Sequence, residues 1–172
     1  QLSLVIPVYN EAGNLEPLVR AAAETLASLG RSHEIILVND GSTDGTQARI
    51  AQFCAERGPG FELLNLSRNG GKGEAVRQGL LHAIAQGCQY VGYWDADLAT
   101  PLDELPDFES VLNRHAQVHM VLGSRVRMLG RNVDRVFTRH LAGRVFATAA
   151  SLALRLPVYD TQCGAKLLRV GP

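Results

Sequence analysis

Tyr90-Val91-Gly92-Tyr93-Trp94-Asp95-Ala96-Asp97 is a short apolar run that stops abruptly at two carboxylates. Aromatic and β-branched residues bounded by polar ones predict a buried strand over Tyr90–Trp94. Two carboxylates this close form a hard-oxygen site suited to Mg²⁺ or Mn²⁺, with phosphate oxygens completing the octahedron. Without a cation their charges repel. An isolated Asp-x-Asp is equally well a loop or a helix cap, so its meaning depends on what the rest of the chain brings to the same place.

Outward from this strand, short apolar runs alternate with helical patterns. Towards the N-terminus, strands are predicted over Leu2–Val8, Glu34–Val38 and Phe61–Leu66. The intervening helices are Leu15–Leu29 with Gly30 as its stop, Thr46–Arg57 ended by Gly58, and Gly73–Ala85 ended by Gly87. Beyond Trp94, Thr100 is placed to cap a helix with Pro101 at its first position, Asp103 and Glu104 complement its dipole, and Pro106 kinks or restarts it. Val118–Leu122 reads as a fifth strand and Leu141–Leu154 as an apolar helix, more in keeping with a core than with a membrane anchor. The expectation is an α/β fold with a Rossmann-like, mostly parallel central sheet flanked by helices.

Ligands of such sheets bind beyond the carboxyl ends of the strands. Tyr9-Asn10-Glu11, Asp40-Gly41-Ser42, Ser67-Arg68-Asn69, Asp95 with Asp97, and Ser124-Arg125 all fall there. Each has a plainer reading. Asp40-Gly41-Ser42-Thr43-Asp44-Gly45 is a turn, with Asp44 or Thr43 capping the next helix; that leaves Asp40 free to face a nucleobase or ribose. Asn69-Gly70-Gly71-Lys72-Gly73 precedes a helix, where exposed N–H groups attract anions. It is neither a Walker A loop nor a full dinucleotide fingerprint, since Gly73 follows Lys72 and Val76 stands at the third glycine place. Six arginines between Arg125 and Arg144 face one acid, Asp134; they are a solvated face, or a site for a diphosphate, a phosphorylated acceptor or anionic lipid.

Seventeen basic residues balance seventeen acidic ones in 172 residues, which argues against nucleic acid as a partner. With 46% hydrophobic and 20% charged residues, the composition is that of a globular domain. The three cysteines show neither zinc spacing nor a disulfide framework, which fits a reducing, cytoplasmic setting. The five histidines form no metal-ligand or catalytic pattern. Gln1 and Pro172 both stand against apolar segments, so residues 1–172 read as a single domain cut short at its C-terminus.

Taken in order, Val5-Ile6-Pro7-Val8-Tyr9-Asn10-Glu11, Val38-Asn39-Asp40-Gly41-Ser42-Thr43-Asp44, Asn69-Gly70-Gly71-Lys72-Gly73 and Asp95-Ala96-Asp97 resemble the GT-A fold of family 2 glycosyltransferases. Gly123-Ser124-Arg125 and Asp160-Thr161-Gln162-Cys163-Gly164-Ala165-Lys166 resemble the polyprenyl-phosphate branch, in particular dolichyl-phosphate β-glucosyltransferases. The resemblance implies that Pro7, Tyr9, Glu11 and Asp40 hold the base and ribose, with Lys72 and Gly73 lining the pocket. It gives Asp95 the ribose or metal, and makes Asp97 the more direct ligand of a divalent cation. Arg125 and Arg139 are assigned to the phosphates, and Gln162 to the acceptor side.

The implied reaction is inverting transfer of a hexosyl group from a UDP- or GDP-sugar, UDP-glucose favoured, to a lipid phosphate at the cytoplasmic face of a membrane. Transfer onto a sugar hydroxyl (with Asp160 as base), a sugar nucleotidyltransferase and a silent nucleotide-sugar binding domain remain as alternatives. Two departures bear on this. Ala99 stands where related mannosyl-phosphate enzymes carry a metal-holding Gln, and the Gln-x-x-Arg-Trp motif of processive synthases is absent.

Overall fold

Leu2–Val8, which carries no charge, forms strand β1, with every residue but Pro7 buried. Strand β2 (His33–Asn39) pairs with it in parallel along its whole length, from Leu2 opposite His33 to Val8 opposite Asn39. Strand β3 (Phe61–Asn65) continues the parallel block beyond β2, and strand β4 (Tyr90–Trp94) lies parallel on the other side of β1. Near-continuous Val, Ile and Leu on β1 and β2 is what a parallel strand covered on both faces requires. The structure, a computed structural model, describes residues 1–28, 32–124 and 163–171.

The full sheet runs β3-β2-β1-β4-β6-β5, where β5 is Met120–Leu122 and β6 is Ala165–Arg169. β6 pairs antiparallel with β4, Trp94 opposite Ala165. No strand is predicted over Ala165–Arg169 from the sequence, because Lys166 and Arg169 interrupt the apolar run. Both cations are accommodated by aromatic partners on β4: Lys166 Nζ donates to Tyr93 Oη at 2.9 Å, and the Arg169 guanidinium lies over the Tyr90 ring.

Helices α1 (Leu15–Ser28), α2 (Thr46–Arg57) and α3 (Lys72–Ala85) follow β1, β2 and β3. In α1 the buried stripe Leu15, Leu18, Val19 and Ala22 has helical spacing. α3 packs on the sheet through Ala75, Gly79 and Ala83, all buried and four residues apart. A Cβ at Gly79 would overlap Val5 and stand 2.8 Å from Val38 Cγ2. Small residues let α3 sit close to β1 and β2, and this fixes where its N-terminus points.

The helix expected from Thr100 is built differently. Pro101 precedes a 3-10 turn over Leu102–Glu104, and α4 (Leu105–Arg114) begins after it with Pro106 in its first turn. A helix running on from Pro101 would place Pro106 where an N–H is needed and where its ring meets the carbonyl of Leu102; restarting the helix removes both conflicts. Thr100 does not cap it; its carbonyl instead accepts the Trp94 indole N–H at 2.8 Å. The other predicted boundaries hold to within one or two residues. Leu29 and the predicted Leu141–Leu154 helix lie outside the described residues.

Two compact units divide the chain, one of Gln1–Val121 with Gly164–Pro172 and one of Leu122–Cys163. The site described next belongs to the first.

Candidate active site

Three loops leave the carboxyl ends of β1, β2 and β4, and the first two are tied together. Asn10, at φ 53°, donates its N–H to Ser42 Oγ at 3.0 Å, and its own Oδ1 accepts from Thr43 N–H at 2.9 Å. Glu11 N–H donates to Thr46 Oγ1 at 3.0 Å and Ala12 N–H to Asp44 Oδ2 at 3.2 Å. Asp44 is not the cap of α2 that its position suggests. Gly45 holds that place with φ 87°, and Asp44 Oδ1 accepts from both Thr46 N–H (3.1 Å) and Thr46 Oγ1 (2.5 Å). These bonds, the Thr46 hydroxyl foremost, hold its carboxyl below the ordinary value of 3.8.

Asp40 is buried, 3% exposed, at the end of β2. Its Oδ1 accepts the N–H of Gly70, 30 residues away, at 2.8 Å, so it closes the Ser67–Gly71 loop onto the sheet. Gly41 makes that approach possible: its φ is 65°, and a Cβ there would stand 2.5 Å from the Arg68 carbonyl carbon and from Asn69 N. Beneath the loop, Asn39 is fully buried, bonding Asn65 Oδ1 through Nδ2 at 2.5 Å and Ser42 N–H through Oδ1 at 3.2 Å. Asn39 and Asn65 are missed by motif reasoning; a polar pair at adjacent strand ends, opposite one another in register, is the signal that betrays them.

The same loop delivers Lys72, the first residue of α3, to the end of β4. Lys72 Nζ stands 2.6 Å from Asp95 Oδ1. That oxygen is buried and receives no directed hydrogen bond, so the contact is an ion pair by distance rather than by hydrogen-bond geometry. The Lys72 side chain is 57% exposed, which keeps the pair screened and readily exchanged for a ligand. The structure thus supplies a cation to the acidic pair, from a residue that the sequence places on an anion-attracting loop and in the base and ribose pocket.

Asp97 is exposed, and its Oδ1 accepts Ala99 N–H at 3.0 Å in the turn after β4. Leu98, at φ 51°, lets that turn form. Tyr9 is 45% exposed beyond β1, and Glu11 Oε2 accepts from Asn14 Nδ2 at 2.8 Å. Pro7, Tyr9, Glu11, Asp40, Lys72, Gly73, Asp95 and Asp97 therefore all stand at one edge of the sheet or on the loops that leave it. Arg125, Arg139, Asp160 and Gln162 lie outside the described residues. Among the described residues no cluster of three or more His, Cys, Asp or Glu forms a metal cage.

A six-stranded, mostly parallel sheet flanked by helices is the GT-A fold of glycosyltransferases. The chain belongs to glycosyl transferase family 2, whose family model matches residues 3–171. It is 36% identical over 177 residues to a dolichyl-phosphate beta-glucosyltransferase of Trichomonas vaginalis, covering 96% of this chain and 50% of that protein. The chain thus spans about half the length of the curated relative it matches. Glucosyl-3-phosphoglycerate synthase from Mycobacterium tuberculosis, solved with Mn²⁺, UDP and glucosyl-3-phosphoglycerate, shares the fold at TM-score 0.65 and 20% identity, over 98% of this chain and 56% of that one. A mannosyltransferase from Pyrobaculum calidifontis, solved with GDP-Man and Mn²⁺, superposes at TM-score 0.60 and 23% identity, over 98% of this chain and 44% of that one.

Proposed function

We propose that this chain is the donor-binding catalytic part of an inverting hexosyltransferase that moves a sugar, glucose favoured, from its UDP conjugate to a polyprenyl phosphate. The observation that carries the reading is the meeting of Asp95 and Lys72 beside a loop held by Asp40, at the sheet edge where Asp97 also stands. Resemblance to a dolichyl-phosphate glucosyltransferase supports the acceptor class and the sugar. A uridine diphosphate in one structural neighbour and a guanosine conjugate in another support a nucleoside diphosphate donor.

In this mechanism Tyr9, Pro7, Glu11 and Gly73 line the base and ribose pocket, and Asp40 shapes it by fixing Gly70. The residues fit a divalent cation: the buried Asp95 Oδ1 lacks a directed hydrogen bond, and carboxylate oxygens are the donors Mg²⁺ and Mn²⁺ take. Asp97 and Asp95 would hold it, with diphosphate and water oxygens completing its shell. When bound there, such a cation would supply positive charge to offset that of the diphosphate. Lys72 and Arg125 add positive charge to the same group. The acceptor phosphate oxygen is already anionic near neutral pH, so it attacks the anomeric carbon without a protein base as the bond to the nucleoside diphosphate breaks. Arg139 is assigned with Arg125 to the phosphates and Gln162 to the acceptor side, while the other arginines of 125–144 suit an anionic membrane surface on its cytoplasmic face. No helix among the described residues is long and apolar enough to cross a membrane.

The direct test is UDP-glucose with a short polyprenyl phosphate and Mn²⁺. Release of UDP together with lipid-linked glucose is expected. Pyrophosphate release from UTP and glucose 1-phosphate would indicate a nucleotidyltransferase instead. Asp97→Ala is expected to lower turnover by at least about 100-fold; a folded variant that keeps its metal-supported turnover would remove Asp97 from the proposed cation site.

A further inference from the structure

The start of β6 touches the acidic pair. The antiparallel ladder places Trp94 opposite Ala165, and one step further Asp95 N–H donates to the Gly164 carbonyl at 2.8 Å. At that step the Asp95 side chain occupies the space where residue 164 would carry its own. A Cβ built on Gly164 falls on the carboxylate, overlapping Cγ and Oδ2 and standing 2.6 Å from Oδ1. Gly164 is buried, and its φ lies outside the left-handed region, so an alanine backbone would fit there unstrained. The three atoms nearest to such a methyl group all belong to the Asp95 carboxylate.

We infer that Gly164 is a positioning residue for Asp95, its missing side chain being the seat in which the carboxylate rests. Seated there, Asp95 presents Oδ1 to Lys72 at the head of α3, and both of its neighbours come from distant parts of the sequence. The atoms that a methyl group at 164 meets first belong to a short, rotatable side chain rather than to backbone. Its effect is to swing the carboxylate out of line with Lys72 and with whatever ligand replaces Lys72, leaving the sheet in place. Groups that orient a metal- or phosphate-binding carboxylate commonly matter about as much as 10- to 100-fold in ligand affinity. The identity of the affected ligand rests on the donor-site reading above; the seat itself rests on geometry alone.

The test compares the full chain with Gly164→Ala, Asp95→Ala and the double variant, by thermal unfolding and by calorimetric titration of UDP with Mn²⁺. Gly164→Ala is expected to weaken UDP–Mn²⁺ binding by about 10- to 100-fold while folded. Its unfolding penalty should vanish in the Asp95→Ala background, where nothing occupies the seat. Equal penalties in both backgrounds, or unchanged UDP–Mn²⁺ affinity in Gly164→Ala, would overturn the inference, because a glycine needed only for packing behaves that way. Should Gly164→Ala not fold, recovery of folding in the double variant supports the seat and failure of the double variant overturns it. If the unmodified chain binds no UDP, the donor reading falls, and the unfolding comparison alone still decides for or against the seat.

Discussion

Asp40 illustrates how a residue that the sequence marks for ligand contact serves to hold a loop of the proposed site. With 3% of its surface exposed, its carboxylate holds the Gly70 N–H at 2.8 Å. Removing it leaves a donor of the loop without its partner, so Asp40→Ala should cost about 1.5–3 kcal/mol of unfolding free energy, measured by urea denaturation. Asp40→Asn keeps an acceptor oxygen and should lose less than about 1.5 kcal/mol. If the two variants prove equally stable, the Gly70 bond is not what Asp40 contributes. Its position at a strand end is readable from the chain; its partner is not, because a backbone N–H in a distant loop has no residue-type signature. The same holds for Lys72, whose charge is plain in the sequence but whose meeting with Asp95 depends on how closely α3 packs.

At the scale of elements, α3 is fixed at its far end by a polar network on β1, β2 and β3. His82 Nε2 lies 2.8 Å from Glu62 Oε1, and Gln86 Nε2 donates to Glu62 Oε2 at 3.0 Å. Burial works to raise the Glu62 carboxyl, but these bonds outweigh it and hold it below its ordinary value of 4.5. Glu34 goes the other way. Burial pushes it up, the bond from Ser3 Oγ at 3.1 Å opposes, the neighbouring Glu62 adds to the rise, and His82 counters weakly. A carboxyl raised on folding favours the folded state most below 4.5, and that contribution is lost as pH rises through its raised folded value. Glu34→Gln cannot ionise, so its melting temperature should exceed the parent's near pH 7 by up to about 2 °C, with the margin closing towards pH 4. A margin that is constant with pH would show that ionisation of Glu34 carries no penalty.

For the molecule as a whole, no third His, Cys, Asp or Glu among the described residues joins Asp95 and Asp97, so under the proposed function metal and nucleotide are expected to bind together. UDP or Mn²⁺ alone should shift the melting temperature little, whereas both together should stabilise by about 2.7 kcal/mol at a hundred times the joint dissociation constant. Equal shifts with Mn²⁺ alone and with the pair would contradict this dependence. The alternation of strands and helices, the strand-end positions of Tyr9, Asp40 and Asp95, and the break at Pro106 are all set by local chemistry. Apolar runs, glycine stops and proline restrictions act within a few residues, so the sequence by itself determines them. The antiparallel β6, the tie from Asp40 to Gly70, the Lys72–Asp95 pair and the seat that Gly164 gives Asp95 were decided only by tertiary structure. Each joins residues 23 to 79 positions apart, and whether they meet depends on sheet order and on the small residues that bring α3 down onto β1 and β2. The acidic pair after Trp94 can thus be found from its own residues, while the direction in which its first carboxylate points is set by a glycine just before a strand that local pattern does not reveal.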